Sequence, residues 1–274
     1  MTSNKAAYIK TRHAPVELEA TEMWFPNMVK FKTASENKSG AWQQYAIGLE
    51  ENLVRLAPET SLEVGSGVIA NLATVVSALT LHMGCLSKPP VAGRPEPNGK
   101  SIFVYGGEIC HGYHVVTTSS PRIRELVEQR KATHIIDHTR PREDLVREIL
   151  AHGPYEGIFG STATSEATQL MGELLRDTGG LIFSTGPTLE DDALPDNVRN
   201  KWAGYSDILV SEAANQGLRD WYLRSYLPAA LKSGEVWPSP AVKLEGGLAS
   251  VQRALDLMFE GKVSGSKLVV DPWD

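Results

Sequence analysis

The sequence predicts an α/β fold: a doubly wound parallel sheet flanked by helices, with a smaller β-rich remnant beside it. Two observations carry this. From residue 101 onward, short apolar runs alternate with helix-patterned stretches, and most of the runs end at glycine or a small polar residue, as buried parallel strands do. Residues 1–62 read differently, as short strand-like pieces with no helix between them.

In order, the first part predicts strands at 6–9, 16–18, 42–48 and 52–56. An apolar helix over 68–83 leads into a proline-rich loop that closes with Gly93-Arg-Pro-Glu-Pro-Asn-Gly99. Ser101-Ile-Phe-Val-Tyr105 is a buried strand entering Gly106-Gly107, and 113–118 is a β-branched strand ending in Thr-Thr-Ser-Ser-Pro121. A helix over 121–131 takes Ser119 or Ser120 as its N-cap, with Pro121 in its first turn. Then come a strand at 134–137, a helix at 141–151, a strand at 155–160, and a helix at 165–177 stopped by Gly179-Gly180. A strand at 180–185 enters Gly186-Pro187. A strand at 207–212, helices at 218–233 and 247–260, and a strand at 266–270 complete the chain.

One junction breaks the alternation. The strands at 101–105 and 113–118 read as the first two of a dinucleotide-binding unit, yet only residues 108–112 separate the Gly-Gly turn from the second. A parallel crossover takes about 10–12 residues or more. Five residues close a hairpin but not a crossover. The sheet is therefore expected to be regular over 132–212 and irregular at these two strands.

Composition sets the background. The 274 residues suit one large α/β domain or two small ones, and 42% hydrophobic and 22% charged residues are ordinary globular values. A net charge of −6 and a pI near 5.7 argue against nucleic acid or an anionic membrane as partner. Cys85 and Cys110 fit no metal-ligand spacing and point to a reducing compartment. The opening residues lack an apolar signal core. The stretch 68–83, interrupted by Asn71, Thr74, Ser77 and His82, is too short to span a bilayer. The expected location is the cytoplasm.

Several segments carry a resemblance. Lys5-Ala-Ala-Tyr8, Gly40-Ala-Trp-Gln-Gln-Tyr-Ala46, Gly99-Lys-Ser-Ile-Phe-Val-Tyr-Gly-Gly107, Tyr113-His-Val-Val-Thr-Thr-Ser-Ser-Pro121, Thr133-His-Ile-Ile-Asp-His138 and Gly261-Lys-Val-Ser-Gly-Ser-Lys-Leu-Val-Val270 follow one another in family order. The chain resembles the medium-chain dehydrogenase/reductase family, in its zinc-independent branch of quinone-reductase-like proteins and trans-acting enoyl reductases of fungal polyketide pathways. The resemblance implies a Rossmann-like nucleotide-binding domain over 63–235, lacking its first crossover helix, and a remnant GroES-like substrate domain from 1–62 and 236–274. It implies NADPH as cofactor and an apolar or thioester-linked substrate, delivered by a polyketide synthase. Two departures bear on this. The middle of the GroES-like domain is absent, since 23–39 runs straight into Gly40, and with it goes the "N-P-x-D" turn beside the nicotinamide. The crossover helix with its "S-S-S-V-G" phosphate turn is absent too. Cofactor binding is thus expected to be weak or lost. The alternative function is a non-redox homologue that binds a ligand or partner, or an isomerase or cyclase on the same scaffold.

Each candidate site residue has a functional and a plain reading. Gly106 and Gly107 let a pyrophosphate approach the backbone, or simply make a turn. Ser119, Ser120 and Arg122 suit a 2′-phosphate, with no Asp or Glu at that strand tip to favour an unphosphorylated ribose; alternatively Ser120 caps a helix and Arg122 is solvated. His138 stands where relatives often carry a Tyr near the adenosine ribose, or is a surface histidine. Gly160 and Ser161, and one strand later Thr185 and Gly186, face the ligand edge of the sheet beside the nicotinamide ribose, or serve as loop formers. Val269 and Val270 match the family's terminal pair and equally pack a core strand. No Cys/His/Glu cluster has zinc spacing, so no metal is expected, and no residue is assigned as the proton donor. Cys110 and His111, adjacent in sequence, point apart and make a poor nucleophile–base pair. Glu190, Asp191 and Asp192 read as a solvated acidic loop. Trp202, Trp221, Tyr222, Tyr226 and Trp237 line an apolar channel or pack beneath loops.

Overall fold

A computed structural model of the chain describes residues 4–8, 17–21, 42–45, 52–58, 60–84, 98–106, 113–162, 164–189, 193–205, 207–209, 213–233, 236 and 238–274. In chain order the strands and α-helices are β1 (Asn4–Tyr8), β2 (Glu17–Thr21), α1 (Leu62–Ser77), β3 (Ser101–Tyr105), β4 (His114–Ser119), α2 (Arg124–Gln129), β5 (His134–Asp137), α3 (Arg142–Ala151), β6 (Tyr155–Gly160), α4 (Ser165–Leu174), β7 (Gly180–Ser184), β8 (Val198–Trp202), α5 (Gln216–Asp220), α6 (Leu227–Ser233), β9 (Ala241–Leu244), α7 (Val251–Phe259) and β10 (Lys267–Val270). They fall into two units, Met1–Asn71 with Ile208–Asp274, and Leu72–Asp207.

Among the described residues, the first unit holds two small sheets. β1 and β2 pair antiparallel, from Asn4 opposite Thr21 to Tyr8 opposite Glu17, and β9 pairs parallel with β10. The helix expected over 218–233 is a continuous run of α5, a π-helical turn at Trp221–Tyr226, and α6. The segments 42–48 and 52–56 differ from expectation: 42–45 is bent around a single bridge at Gln43, and only Asn52 lies in a helical turn, with 53–57 irregular. Side chains bond the backbone there in place of a neighbouring strand: Asn52 Nδ2 donates to the Leu209 carbonyl and Arg224 Nη1 to that of Leu53. Residues 46–48 lie outside the described ones. The apolar helix starts earlier than expected, and its run Leu62–His82 has the length and composition to cross a membrane, but Val68, Ala73, Val76, Ala78 and Leu79 are buried in the fold.

The second unit is a six-stranded parallel sheet in the order β5-β4-β3-β6-β7-β8. Counted from β3 this is the 3-2-1-4-5-6 order of doubly wound dinucleotide folds. The central strands are apolar on both faces, as buried parallel strands require. Phe103, Val116, Ile136, Ile158 and Ile182 point toward α3 and α4. Ile102, Val104, Val115, Phe159 and Phe183 point to the opposite face, which Ala78, Leu79, Tyr113 and Tyr205 cover.

The expected irregularity at β3 and β4 is not there. The two strands are adjacent and parallel, with Ser101 opposite His114 and Val104 opposite Thr117. The physical reason lies in the distances. The return from Tyr105 to His114 covers about 13 Å along the strand and about 5 Å across to its neighbour. Nine Cα–Cα steps reach roughly 30 Å. The 10–12-residue requirement belongs to crossovers that contain a helix; the distance to be spanned here needs fewer residues. Ser101 and Ser119 bound the pair, and residues 107–112 of the link lie outside the described residues. A second difference is that Asp207–Leu209 is a 3₁₀ turn rather than the start of a strand, while the polar edge strand β8 was not predicted.

Candidate functional site

A parallel sheet of this order opens a crevice at the carboxyl ends of its strands where the winding reverses, here between β3 and β6. The residues at that point are Tyr105 and Gly106 from β3, Gly160 and Ser161 from β6, and Thr185 and Gly186 just beyond β7. Ser161 ties the first two strands together: its N–H and its hydroxyl both donate to the Tyr105 carbonyl, at 3.1 and 3.0 Å. Thr185 ties the next: its N–H donates to Gly160 O at 3.1 Å and its hydroxyl to Ser161 O at 3.1 Å. The structure thus brings Gly106, Gly160, Ser161, Thr185 and Gly186 to one edge.

Gly106 and Gly160 serve different ends at this edge. Gly106 has φ +73°, the left-handed region that glycine enters without strain, and a Cβ there would stand 3.3 Å from Ser161 Oγ. Ser161 and Thr162 close in on the Cβ position, so glycine here serves the tight turn. Gly160 has no unusual dihedral; a Cβ there would meet the Met171 Cε at 2.6 Å, so its lack of a side chain serves packing against α4. Gly107 lies outside the described residues, as do Cys110, His111, Glu190, Asp191, Asp192 and Trp237.

The strand tips on the other side of β3 form the second half of the edge. Ser119 ends β4 and is buried, its hydroxyl donating to the Ser120 carbonyl at 2.9 Å. Ser120 holds the N-cap position of the 3₁₀ turn Pro121–Ile123 but makes no side-chain cap, and Arg122 is exposed within that turn. His138 is half-buried; its N–H donates to Ser119 O and its ring stands edge-on to that of Tyr105, with centroids 6.2 Å apart. Burial raises the Tyr105 hydroxyl above its usual range, with the Glu166 charge adding to the shift. The acid at the next tip, Asp137, is turned on its own loop: it accepts from the Thr139 N–H and hydroxyl, which hold its pKa down. Val269 and Val270 lie in β10 of the other unit, opposite Lys243 and Leu244.

Three further residues shape the edge without having been singled out in the sequence. Thr118 accepts the Gly106 N–H at 3.1 Å. Asn200 of β8 reaches the Gly186 carbonyl. Tyr105 supplies the carbonyl on which Ser161 anchors. A Thr-Thr pair ending a strand before a turn is a weak hint of the first; nothing in the sequence marks the second, because β8 itself is inconspicuous.

These residues fit a dinucleotide at its adenosine end, where Ser120 and Arg122 stand at a tip without an acidic side chain, and at Gly106, which carries no Cβ. α4 begins directly after β6, so its amino end faces the same edge, with Thr164 Oγ1 capping it by accepting from the Ala167 N–H.

The comparisons agree with the topology. The chain is 29% identical to the dehydrogenase azaJ of Aspergillus niger over 87% of its own length and 72% of that protein. It is 25% identical to the trans-enoyl reductase fsa3 of a Fusarium species, covering 84% and 71% of the two chains. To lovC of Aspergillus terreus, the enoyl reductase component of lovastatin nonaketide synthase, it is 22% identical over 84% and 70%. The chain is similar over most of its length to fungal proteins named dehydrogenase and trans-enoyl reductase. Among solved structures, a quinone oxidoreductase of Pseudomonas syringae pv. tomato superposes with a TM-score of 0.55 at 16% identity, over 81% of this chain and 69% of that one. The fold is that of the medium-chain dehydrogenases/reductases. No protein-family profile matches.

Proposed function

We propose that the protein is an NADPH-dependent, trans-acting enoyl reductase of fungal polyketide biosynthesis, working on an enoyl thioester presented by a polyketide synthase. The observation that carries the reading is the convergence of Gly106, Ser161 and Thr185 at the reversal point of a 3-2-1-4-5-6 sheet, in a chain whose relatives bear dehydrogenase and trans-enoyl reductase names. When bound, a reduced nicotinamide supplies the hydride that the β-carbon of the enoyl group accepts. The chain's own part is binding and orientation. Ser120 and Arg122, with Ser119 behind them, hold the 2′-phosphate; Arg122 offers a charge that only the phosphorylated cofactor can use. His138 and Tyr105 wall the adenosine ribose. Gly106 admits the pyrophosphate, and Gly160, Ser161, Thr185 and Gly186 fix the backbone beside the nicotinamide ribose. The unit containing β1, β2, β9 and β10, with Val269 and Val270, is the remnant of the GroES-like substrate domain in this reading.

The test follows NADPH consumption with crotonyl-CoA as a small enoyl thioester, using cofactor deuterated at its reacting carbon. Transfer of deuterium to the β-carbon is the expected result, and consumption no faster than in buffer overturns the proposal. A non-redox ligand-binding role is the second reading, favoured by one observation. The N–H groups of Gly106, Ser161 and Thr185 are all taken up by Thr118, Tyr105 and Gly160, so none of these three is left for a phosphate.

A further inference from the structure

We propose that Asn200, on the edge strand β8, is a positioning residue: together with Ser184 it fixes the loop at 185–187 and, through that loop, the hold on the nicotinamide end of the cofactor. The proposal rests on the dinucleotide reading above.

Ser184 is the last residue of β7 and is 1% exposed. Its hydroxyl lies 2.6 Å from the Gly186 carbonyl oxygen and 2.8 Å from Asn200 Oδ1, while Asn200 Nδ2 lies 3.3 Å from the same Gly186 oxygen. A serine hydroxyl has one proton and two nearby acceptors here, so when it donates to Asn200 Oδ1 the Asn200 amide supplies the donor to the Gly186 carbonyl. On the opposite side the loop is held by the two Thr185 bonds to β6. Pro187 contributes no N–H. The loop is therefore clamped between β6 and β8, and only one of the two clamps is a side chain from outside the candidate residues.

Three features separate Asn200 from an ordinary strand residue. The β7–β8 ladder pairs it with Ile182 through backbone atoms alone, so replacing its side chain leaves the ladder intact. Its reach is diagonal, across to Ser184 rather than to its direct partner. Its neighbours Arg199 and Lys201 are exposed, whereas Asn200 is half-buried. A neutral planar amide accepts from Ser184 through its oxygen and donates to Gly186 through its nitrogen. A carboxylate would set two oxygens against the carbonyl, and an alkyl chain would do neither.

The experiment pairs amide hydrogen exchange with fluorescence titration of NADPH on the full chain, comparing Asn200→Leu, Asn200→Asp and the surface control Arg199→Ala. Loss of one partly buried hydrogen bond corresponds to about a two- to tenfold change in the equilibrium it supports. Both Asn200 variants should speed exchange at Thr185, Gly186, Thr188 and Leu189 by about that factor. Ile182 and Phe183 should stay as protected as before, and the NADPH dissociation constant should rise by a similar factor. Arg199→Ala should change neither. Unchanged loop exchange in Asn200→Leu overturns the proposal, and so does faster exchange spread over all of β7 and β8, which marks a merely structural role. A loosened loop with unaltered NADPH affinity overturns the positioning role. Failure of the unsubstituted protein to bind NADPH would instead fail the dinucleotide reading, while the exchange measurements still decide whether Asn200 holds the loop.

Discussion

Gly160→Ala puts one methyl group where the sheet meets α4. The new Cβ would lie 2.6 Å from the Met171 Cε and 3.2 Å from its Sδ. Met171 is wholly buried, in one cluster with Ile158, Leu170, Leu174 and Ile182, so its methyl has no solvent to move into. Overpacking of this kind costs about 1–3 kcal/mol. The obstacle is the end of a flexible thioether rather than backbone, and Gly160 has no positive φ, so the lower part of that range applies, about 1–2 kcal/mol. At roughly 2–4 °C per kcal/mol, the melting temperature should fall by about 2–8 °C. The cause can be isolated in a double-mutant cycle. Met171→Ala by itself removes a buried side chain and costs about 2–5 kcal/mol, but it also clears the space that the new methyl needs. In that background Gly160→Ala should cost nothing or stabilise, giving a coupling of at least about 1 kcal/mol. Calorimetric melts of the four proteins measure this. A Gly160→Ala cost that is the same with and without Met171 would refute the packing argument.

Other outcomes follow from the same geometry. Gly106→Ala forces a Cβ into the left-handed region, 3.3 Å from Ser161 Oγ, and should destabilise by about 1–2 kcal/mol in chemical denaturation while weakening NADPH binding beyond that of Gly160→Ala. His134, stacked on His152 with centroids 4.0 Å apart, has its pKa lowered by burial, then by His152 and His114. The unfolded chain therefore takes up this proton first, and the His134 contribution, complete above the ordinary histidine pKa of 6.5, is lost as pH falls below it. His152→Gln should bring the His134 titration, followed by NMR, back toward 6.5. The Tyr205 hydroxyl is pushed up to about 12 by burial, so its contribution is complete below pH 10 and is lost as pH rises toward 12. Ultraviolet titration should show this tyrosine ionising late, and a normal midpoint would contradict the packing of its ring between His82 and Phe159.

The strands β3, β4, β6 and β7 were legible because their inner residues are buried and apolar or β-branched between turn residues, and β5 because Ile135-Ile136 stands between turn signals. β8 was not, since its Val-Arg-Asn-Lys-Trp carries mostly exposed side chains and no apolar run. Residues 207–212 misled in the opposite way. Asp-Ile-Leu-Val-Ser-Glu has strand composition, but its described first three residues make a 3₁₀ turn that buries Ile208. The parallel pairing of β3 and β4 was not legible, because the length of a link does not reveal the short distance it has to span. At the site, Gly106, Ser161 and Thr185 were legible as residues at strand ends. Thr118 and Asn200 were not, because each acts through a hydrogen bond to a residue twelve or more positions away, and only the fold sets those partners side by side.

The central claim, that this edge still takes NADPH, is tested most directly by calorimetric titration of NADPH and NADH into the protein and into Arg122→Ala. A charge-assisted contact to the 2′-phosphate contributes about 1.5–3 kcal/mol, or roughly ten- to a hundredfold in affinity. The account predicts weak binding overall, tighter for NADPH than for NADH, with the preference abolished in Arg122→Ala. Equal affinity for the two cofactors, or no binding of either at millimolar concentration, would contradict it.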